Sequence, residues 1–182
     1  NINVGSGIFG FSVAGNINLK NERDGAILQV RGTNVIDETQ EALFFTSRPK
    51  QKFVVGATYE MRRLNVSLNG TYFGKTEFRQ TGLDPNLKTV FDPKVVTDLA
   101  VTFDLFNNVS LAANVNNLLD VIPKWKFEAL NAAGEAILNN PAQTKVQTNL
   151  ITFNGRYPIT TYDGVHFSQL GRIFNLTLTH RF

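Results

Sequence analysis

The sequence predicts an all-β fold: a segment of an antiparallel transmembrane β-barrel with about six meandering strands. Three observations predict this fold class. Apolar residues recur at every second position, the residues between them are mostly small and uncharged, and short turns alternate with long connections along the 182-residue chain. Residues 1–182 are therefore expected to form one part of a single, larger barrel.

The first observation is an alternation with period 2, the period of a strand whose two faces differ. From Phe9 to Leu19 the odd positions are apolar or glycine, and the even positions carry Gly, Ser, Ala and Asn. The same alternation returns in segments 53–61, 64–72, 95–105, 109–115 and 170–182. Antiparallel strands with one apolar and one polar face give this pattern.

The second observation favours a membrane barrel over a soluble sheet. The polar positions of these strands hold mainly Ser, Thr, Asn, Gly and Ala, and only 18% of the chain is charged. A face exposed to bulk water normally carries more Lys and Glu. Small uncharged groups suit a hydrated barrel lumen, or contact with a plug inside the barrel.

Aromatic residues at the apolar positions tend to lie near strand ends, where outer-membrane barrels carry girdles at the two membrane–water interfaces. The residues predicted to lie at these interfaces are Phe9, Phe11, Tyr59, Tyr72 and Phe103. The face that carries them is expected to contact outer-membrane lipid.

The third observation concerns the connections. Residues 61–63 and 106–108 predict tight hairpin turns, and Asn107 and Asn108 suit the positive φ that such turns require. The long connections are residues 21–42, 80–93 and 120–167. Within the last of these, residues 129–138 suit a short helical turn. Outer-membrane barrels have short periplasmic turns and long extracellular loops, so the last strand is expected to end in the periplasm.

About six strands cannot close a membrane barrel, since the smallest known barrels use about eight. Open sheet edges in lipid would leave backbone groups unpaired, at a cost of several kcal/mol each. The chain also begins at Asn1 without a Met, a basic n-region or an apolar h-region. We therefore expect the chain to be a fragment whose remaining strands lie N-terminal to it.

Composition argues against several other function classes. Cysteine is absent, so neither a disulfide framework nor a thiolate metal site is possible. The net charge of +3 comes from scattered basic residues, without the Lys/Arg cluster that nucleic-acid binding needs. No Ser/His/Asp arrangement, phosphate-binding loop or zinc spacing is present, so we expect neither enzyme activity nor a cofactor. Asp98 and Asp104 are interpreted as a lumen-facing acidic pair.

Two residues in the longest connection are possible ligand-facing residues. Trp125 follows Pro123, and it either packs on the barrel rim, as Trp does at membrane interfaces, or helps to bind a ligand. His166 has no carboxylate at metal-ligand spacing, so a solvent-facing role is expected before any metal role.

Three motifs resemble the C-terminal portion of TonB-dependent outer-membrane receptors. Residues 48–59 begin with Arg-Pro and resemble a strand start of that family, and residues 114–123, with the run Asn-Asn-Leu-Leu-Asp, resemble a strand exit. Residues 171–182 begin with Gly-Arg and resemble the family's terminus. This terminus implies a signal that the barrel-assembly machinery reads. The matching residues are Phe174, Leu176, Leu178 and Phe182, whereas His180 stands where an apolar residue is commoner.

The resemblance implies active transport. In this family a closed barrel of roughly 22 strands encloses an N-terminal plug. The plug and external loops bind a scarce nutrient, often an iron–siderophore complex, a cobalamin or a glycan, and the TonB complex of the inner membrane pulls on the plug. A plug and a TonB-contacting segment are then expected in the missing N-terminal part of the protein.

Two other functions remain open from the sequence. A passive porin or channel in the same membrane would differ by lacking the plug. A soluble β-sandwich used in binding or adhesion would instead shield the apolar strand residues within the chain. The residues that such a sandwich should cover are Leu64, Val66, Leu68 and Leu176.

Overall fold

A computed structural model of the chain describes residues 2–26, 29–80, 82–122, 124–151 and 171–182. The strands in these ranges are β1 (Ile2–Val4), β2 (Gly7–Ile17), β3 (Gln29–Val30), β4 (Thr33–Asn34), β5 (Gln51–Met61), β6 (Leu64–Phe73), β7 (Thr76–Phe78), β8 (Leu87–Phe91), β9 (Lys94–Phe106), β10 (Val109–Asn116), β11 (Trp125–Ala129) and β12 (Ile173–His180). The helices are α1 (Glu38–Phe45), α2 (Ala132–Leu138) and α3 (Pro141–Leu150). Of the described residues, 51% lie in strands and 16% in helices, so the fold is mostly β with antiparallel sheets rather than purely β.

Seven strands form the main sheet in the order β1-β2-β5-β6-β9-β10-β12. Each pairs antiparallel with its neighbours, and the order follows the chain, as in a meander. The sheet has one strand more than the six expected, because β1 has only three residues and is too short to display a period. Among the described residues the sheet stays open, with β1 and β12 at its edges.

At one end of the main sheet, here called the short-turn end, two-residue turns connect the two strands of each hairpin. These turns lie at residues 5–6, 62–63 and 107–108. The two predicted hairpins are therefore confirmed, but positive φ occurs at Gly5 (60°) and Arg62 (38°), not at Asn107 or Asn108. In the last hairpin the register shifts instead, and Leu105 is left without a partner in β10. Such a bulge adds one residue to a strand and increases its local twist.

The long connections, at the opposite end, carry structure of their own. Strands β7, β8 and β11 form a second antiparallel sheet in the order β11-β8-β7, and with α2 and α3 we call this part the cap. Residues 80–93 were expected only as a connection, yet they contain β8. Helix α2 confirms the helical turn predicted within residues 129–138, whereas α1 and α3 were missed. Both missed helices have start signals in the sequence: a capping box from Asp37 and Gln40, and Asn140 before Pro141.

The buried core lies where the cap meets the main sheet. Phe73 of β6, Phe91 of β8 and Val96 of β9 are almost fully buried there. Partly buried Val121 and Trp125 pack against them. In the described part of the chain, no helix combines the length and apolar character needed to cross a bilayer.

Asn117 follows directly after β10 and fixes the start of the longest connection. Its backbone N–H donates a 2.8 Å hydrogen bond to Oδ1 of Asp98. Its side chain both donates to the carbonyl of Val121 and accepts from the N–H of that residue, each at 2.8 Å. Asn117 is 2% exposed and has a φ of 54°. Asn tolerates left-handed backbone better than most residues. Its side-chain amide can also donate to a backbone carbonyl and accept from a backbone N–H of the same turn.

Asp120 ties this turn to the chain that returns from the connection. Its Oδ1 accepts a 2.9 Å hydrogen bond from the backbone N–H of Arg172. Gly171 has a φ of 70°, and a Cβ on it would lie 2.5 Å from Oδ1 of Asp120. Two of the three motifs noted in the sequence thus meet in space, and the glycine is required both by backbone geometry and by close approach.

Gly171→Ala is expected to lower the free energy of unfolding by about 2–3 kcal/mol, since it adds a steric clash to backbone strain. Gly5→Ala is the matched control, because Gly5 also has positive φ but has nothing within 4 Å of its would-be Cβ. It should cost about 1 kcal/mol. Urea unfolding of the chain folded in detergent micelles measures both values. Equal losses in the two variants would show that the contact with Asp120 contributes nothing.

Candidate functional site

One face of the main sheet is apolar and exposed. Directly paired residues of antiparallel strands share a face, so the register aligns the apolar positions of successive strands. Phe11 pairs with Ala57, Ala57 with Leu68, and Leu68 with Leu99. The large side chains of this apolar face are Phe9, Phe11, Val13, Ile17, Phe53, Val55, Tyr59, Leu64, Val66, Leu68, Tyr72, Val95, Leu99, Val101, Phe103, Leu111, Val115, Phe174, Leu176 and Leu178. Val13 is 64% exposed, and a continuous apolar surface of this kind normally marks an interaction site.

The five aromatic residues predicted at membrane interfaces all lie on the apolar face. Phe9 and Tyr59 form a direct pair towards the short-turn end, and Phe103 lies at the same end. Tyr72 lies one residue from the end of β6 at the long-connection end. Phe11 lies nearer the middle of β2. Aromatic side chains thus occur towards both ends of the strands, with mostly aliphatic residues between them.

The residues of the expected assembly signal are the most open part of the apolar face. Phe174, Leu176 and Leu178 alternate along the edge strand β12, and each is more than 60% exposed. Phe182 follows the strand and is fully exposed. These side chains are accessible both from the apolar face and from the sheet edge that β12 forms among the described residues.

His180 lies on the apolar face, opposite Val109. Its Nε2 lies 2.8 Å from the side-chain Nδ2 of Asn108. Since an amide NH₂ group only donates, Nε2 is the acceptor. The imidazole ring packs edge-on against Phe182, with ring centroids 4.6 Å apart. His180 therefore joins the last strand to the turn at residues 107–108 and orients the terminal aromatic ring.

The opposite face of the main sheet carries small polar groups in close contact. A Cβ on Gly56 would lie 2.6 Å from Oγ of Ser12 and 2.8 Å from Oδ1 of Asn69, so side chains of both neighbouring strands close over the glycine. Asp98 and Asp104 lie six residues apart on β9, a separation of about 20 Å in a strand. They do not form a pair: Asp98 binds the backbone of Asn117, and Asp104 is exposed beside the short turns.

Trp125 begins β11 and is partly buried against the core cluster at the base of the cap. Its indole ring packs edge-on against Phe127, with centroids 5.4 Å apart. The structure thus places Trp125 in packing contacts at the junction of cap and sheet. His166, the other possible ligand-facing residue, lies outside the described residues.

A network of charges covers one face of the small sheet. Glu77 of β7 binds Lys75 through Oε1 and Lys88 through Oε2, each at 2.8 Å. Glu128 of β11 lies 3.3 Å from Lys126 and 3.7 Å from Lys88. The network joins all three strands of the small sheet. Sequence reasoning missed it because the strands come from distant segments, although Lys75 and Glu77, like Lys126 and Glu128, show the i, i+2 spacing of one strand face.

The network shifts the titration of its members. Burial raises the pKa of Glu77, but the hydrogen bonds from Lys75 and Lys88 together lower it by more than burial raises it. The pKa of Glu77 therefore lies below the ordinary value of 4.5. The pKa of Glu128 is also lowered, since the hydrogen bond from Lys126 and the neighbouring lysine charges outweigh burial. The hydrogen bond to Glu77 raises the pKa of Lys75 above 10.5.

Lowered carboxylate pKa values stabilise the folded cap above about pH 4.5, and this contribution is lost as the pH falls through the lowered values. The wild-type cap is therefore expected to lose stability in acid, and Glu77→Gln should make that loss smaller. Emission from Trp125, the single tryptophan, reports cap unfolding during urea titrations at several acid pH values. Glu135→Gln is the control, because Glu135 has no ion pair among the described residues. An unchanged acid dependence in Glu77→Gln would contradict the prediction.

Among the described residues no group of three His, Asp or Glu side chains could hold a metal ion. No protein-family model, curated protein or solved structure matches this chain. The apolar face and the cap are therefore interpreted from their own geometry.

Proposed function

We propose that the chain is the C-terminal barrel segment of an outer-membrane receptor that takes up a scarce nutrient, such as an iron–siderophore complex, with energy delivered through TonB. The observation that carries the proposal is the continuous, exposed apolar face of the main sheet. Its natural occupant is the hydrocarbon of a bilayer. In this arrangement the short-turn end lies in the periplasm and the cap lies outside the cell.

Strand length supports a membrane location. Strands β2, β5, β6 and β9 have 10–13 residues. A tilted strand needs about 9–11 residues to cross the hydrocarbon of a bilayer. The four strands also carry aromatic side chains towards their ends, at the depth expected of the two interfaces.

The soluble β-sandwich fits these observations less well. It requires a second layer over the apolar face, yet Leu68 is 42% exposed and Leu176 is 73% exposed. The second sheet of the chain packs at the end of the main sheet, against Phe73 and Val96, and does not cover that face. Lipid accounts for the exposed leucines, whereas the sandwich leaves them in water.

The open edges of the sheet support a larger barrel. Both β1 and β12 lack a second partner among the described residues, and such edges cannot stay open in lipid. Further strands and a plug are accordingly part of the proposal, as are lipid, the barrel-assembly machinery and the TonB complex as partners. The small polar groups around Ser12, Gly56 and Asn69 suit a closely packed inner surface.

The receptor is favoured over a passive porin by the junction between Asp120 and Gly171-Arg172. Its residues belong to the two motifs that resemble TonB-dependent receptors, and they contact each other directly. The two likenesses therefore concern one structural unit of the protein, and this unit supports the receptor.

Single cysteines can test the membrane location, because the chain contains no natural cysteine. Nitroxide labels at Val13→Cys and Leu176→Cys are expected to collide with molecular oxygen dissolved in phospholipid bilayers. Labels at Ser12→Cys and Thr177→Cys, on the opposite face of the same strands, should collide with a water-soluble nickel complex. Electron paramagnetic resonance measures both. Equal accessibility on the two faces would exclude a lipid-facing sheet.

Genetics can separate active from passive transport. A strain without the protein should grow more slowly than its parent under limitation of iron, cobalamin or a glycan, because uptake then requires a dedicated receptor. In a strain already lacking TonB, removal of the protein should cause no further loss. A passive porin predicts a further loss, since it works without TonB.

A further inference from the structure

A cavity of about 310 Å³ lies beside the cap, between residues 46–51 and residues 74–77. Two backbone hydrogen bonds frame it: Gly74 N–H donates to the carbonyl of Gln51 at 2.8 Å, and Glu77 N–H donates to the carbonyl of Thr46 at 3.0 Å. More residues lie between these contacts on the first segment than on the second. The first segment is therefore the longer of the two between the same pair of contacts, and the cavity lies between the two segments.

Positive charge dominates the walls of this cavity. Arg48, Lys50 and Lys75 line it, and Glu77 is the only carboxylate among the described lining residues. Lys75 is already bound to Glu77 at 2.8 Å. Arg48 and Lys50 are exposed, and neither has an ion pair among the described residues. The described residues that line the cavity therefore carry a net charge of +2, from three cations and one carboxylate.

A neighbouring cavity of about 320 Å³ shows the contrast. It shares Lys50 with the first, but its other charges are matched. Arg23 lies 3.3 Å from Glu41, and Arg79 lies 3.0 Å from Glu38. Basic residues around a cavity therefore do not by themselves leave an excess of charge in this protein.

We propose that the cavity bounded by Arg48, Lys50 and Lys75 is a binding site for a small ligand that carries phosphate or carboxylate groups. The guanidinium of Arg48 offers a planar fork of donors that matches such oxyanions, and the two ammonium groups offer compact charges on either side. A volume of about 300 Å³ is at the lower end of the range for small-molecule sites. The site goes beyond the proposed transport function, because it does not require the sheet to face lipid.

Glu77 sets the strength of this site. It holds Lys75, a lining residue of the cavity, through Oε1 and so competes with an incoming anion for that ammonium group, while its Oε2 holds Lys88. Removal of its charge would release Lys75 to the ligand. Glu77→Gln is therefore expected to tighten anion binding severalfold, although the same change weakens the charge network of the cap.

The test uses the full chain folded in detergent micelles at low ionic strength. Isothermal titration calorimetry with citrate and with pyrophosphate as probes should detect binding to the wild type. Arg48→Gln combined with Lys50→Gln should lower the affinity by about tenfold for each charge removed. Lys124→Gln combined with Lys145→Gln is the matched control, since it removes the same charge from exposed positions outside the cavity. Circular dichroism confirms that each variant is folded.

A second measurement identifies the source of the anion. The chain is placed in bilayers of phosphatidylcholine with and without phosphatidylglycerol, and a nitroxide label at Gln51→Cys, an exposed position that lines the cavity, is followed. Citrate or pyrophosphate binding in micelles supports a free ligand, whereas immobilisation only by phosphatidylglycerol supports a lipid headgroup.

Several results would overturn the site. These are no binding of either probe together with no response to phosphatidylglycerol, equal loss in the cavity and control variants, or unchanged affinity in Glu77→Gln. None of them alters the cysteine accessibility pattern that tests the proposed function, so the two proposals fail separately.

Discussion

The structure depends on the register of the main sheet. Side chains alternate with period 2, so only registers that differ by an even number of residues keep every apolar set on the same face, and a shift of one residue reverses it. A slip of one residue between β5 and β6 would move Leu68 from beside Ala57 to the face that carries Ser12 and Asn69. The two-residue turns at the short-turn end fix this alignment locally. The bulge at Leu105 adds one unpaired residue to β9, and the apolar residues on both sides of the bulge stay on the same face of the sheet.

This constraint explains why the core lies at one end. Since the apolar face of the main sheet is exposed among the described residues, it does not serve as the core. The chain therefore buries Phe73 and Val96, which lie on the opposite, otherwise polar face at its long-connection end, under Phe91 and Trp125 of the cap. On this polar face, small polar groups alternate along the strands only as far as the cap. The change to apolar residues marks where the cap contacts the main sheet.

The sequence was informative about the sheet because its signals are local. Period 2 identified the six long strands, and the tight turns followed from strand spacing. The cap was harder, because β8 is five residues between Pro85 and Pro93 and resembles a connection. The start signals at Asp37 and Asn140 were readable and could have revealed α1 and α3. The charge network could not be predicted, since Lys75, Lys88 and Glu128 meet only after three distant segments pair.

The junction at Asn117 and Asp120 connects the sheet to the cap. Three successive constraints act there: left-handed backbone at both residues, an amide that satisfies the turn, and a carboxylate that leaves no space for a side chain at Gly171. Each constraint selects one residue type, which explains why these positions form recognisable motifs while the connection between them does not. Because the two ends of the connection are bound to each other, β10 and β12 are held side by side at that end whatever the connection contains. The cap can then differ in sequence without altering the register of the strands below it.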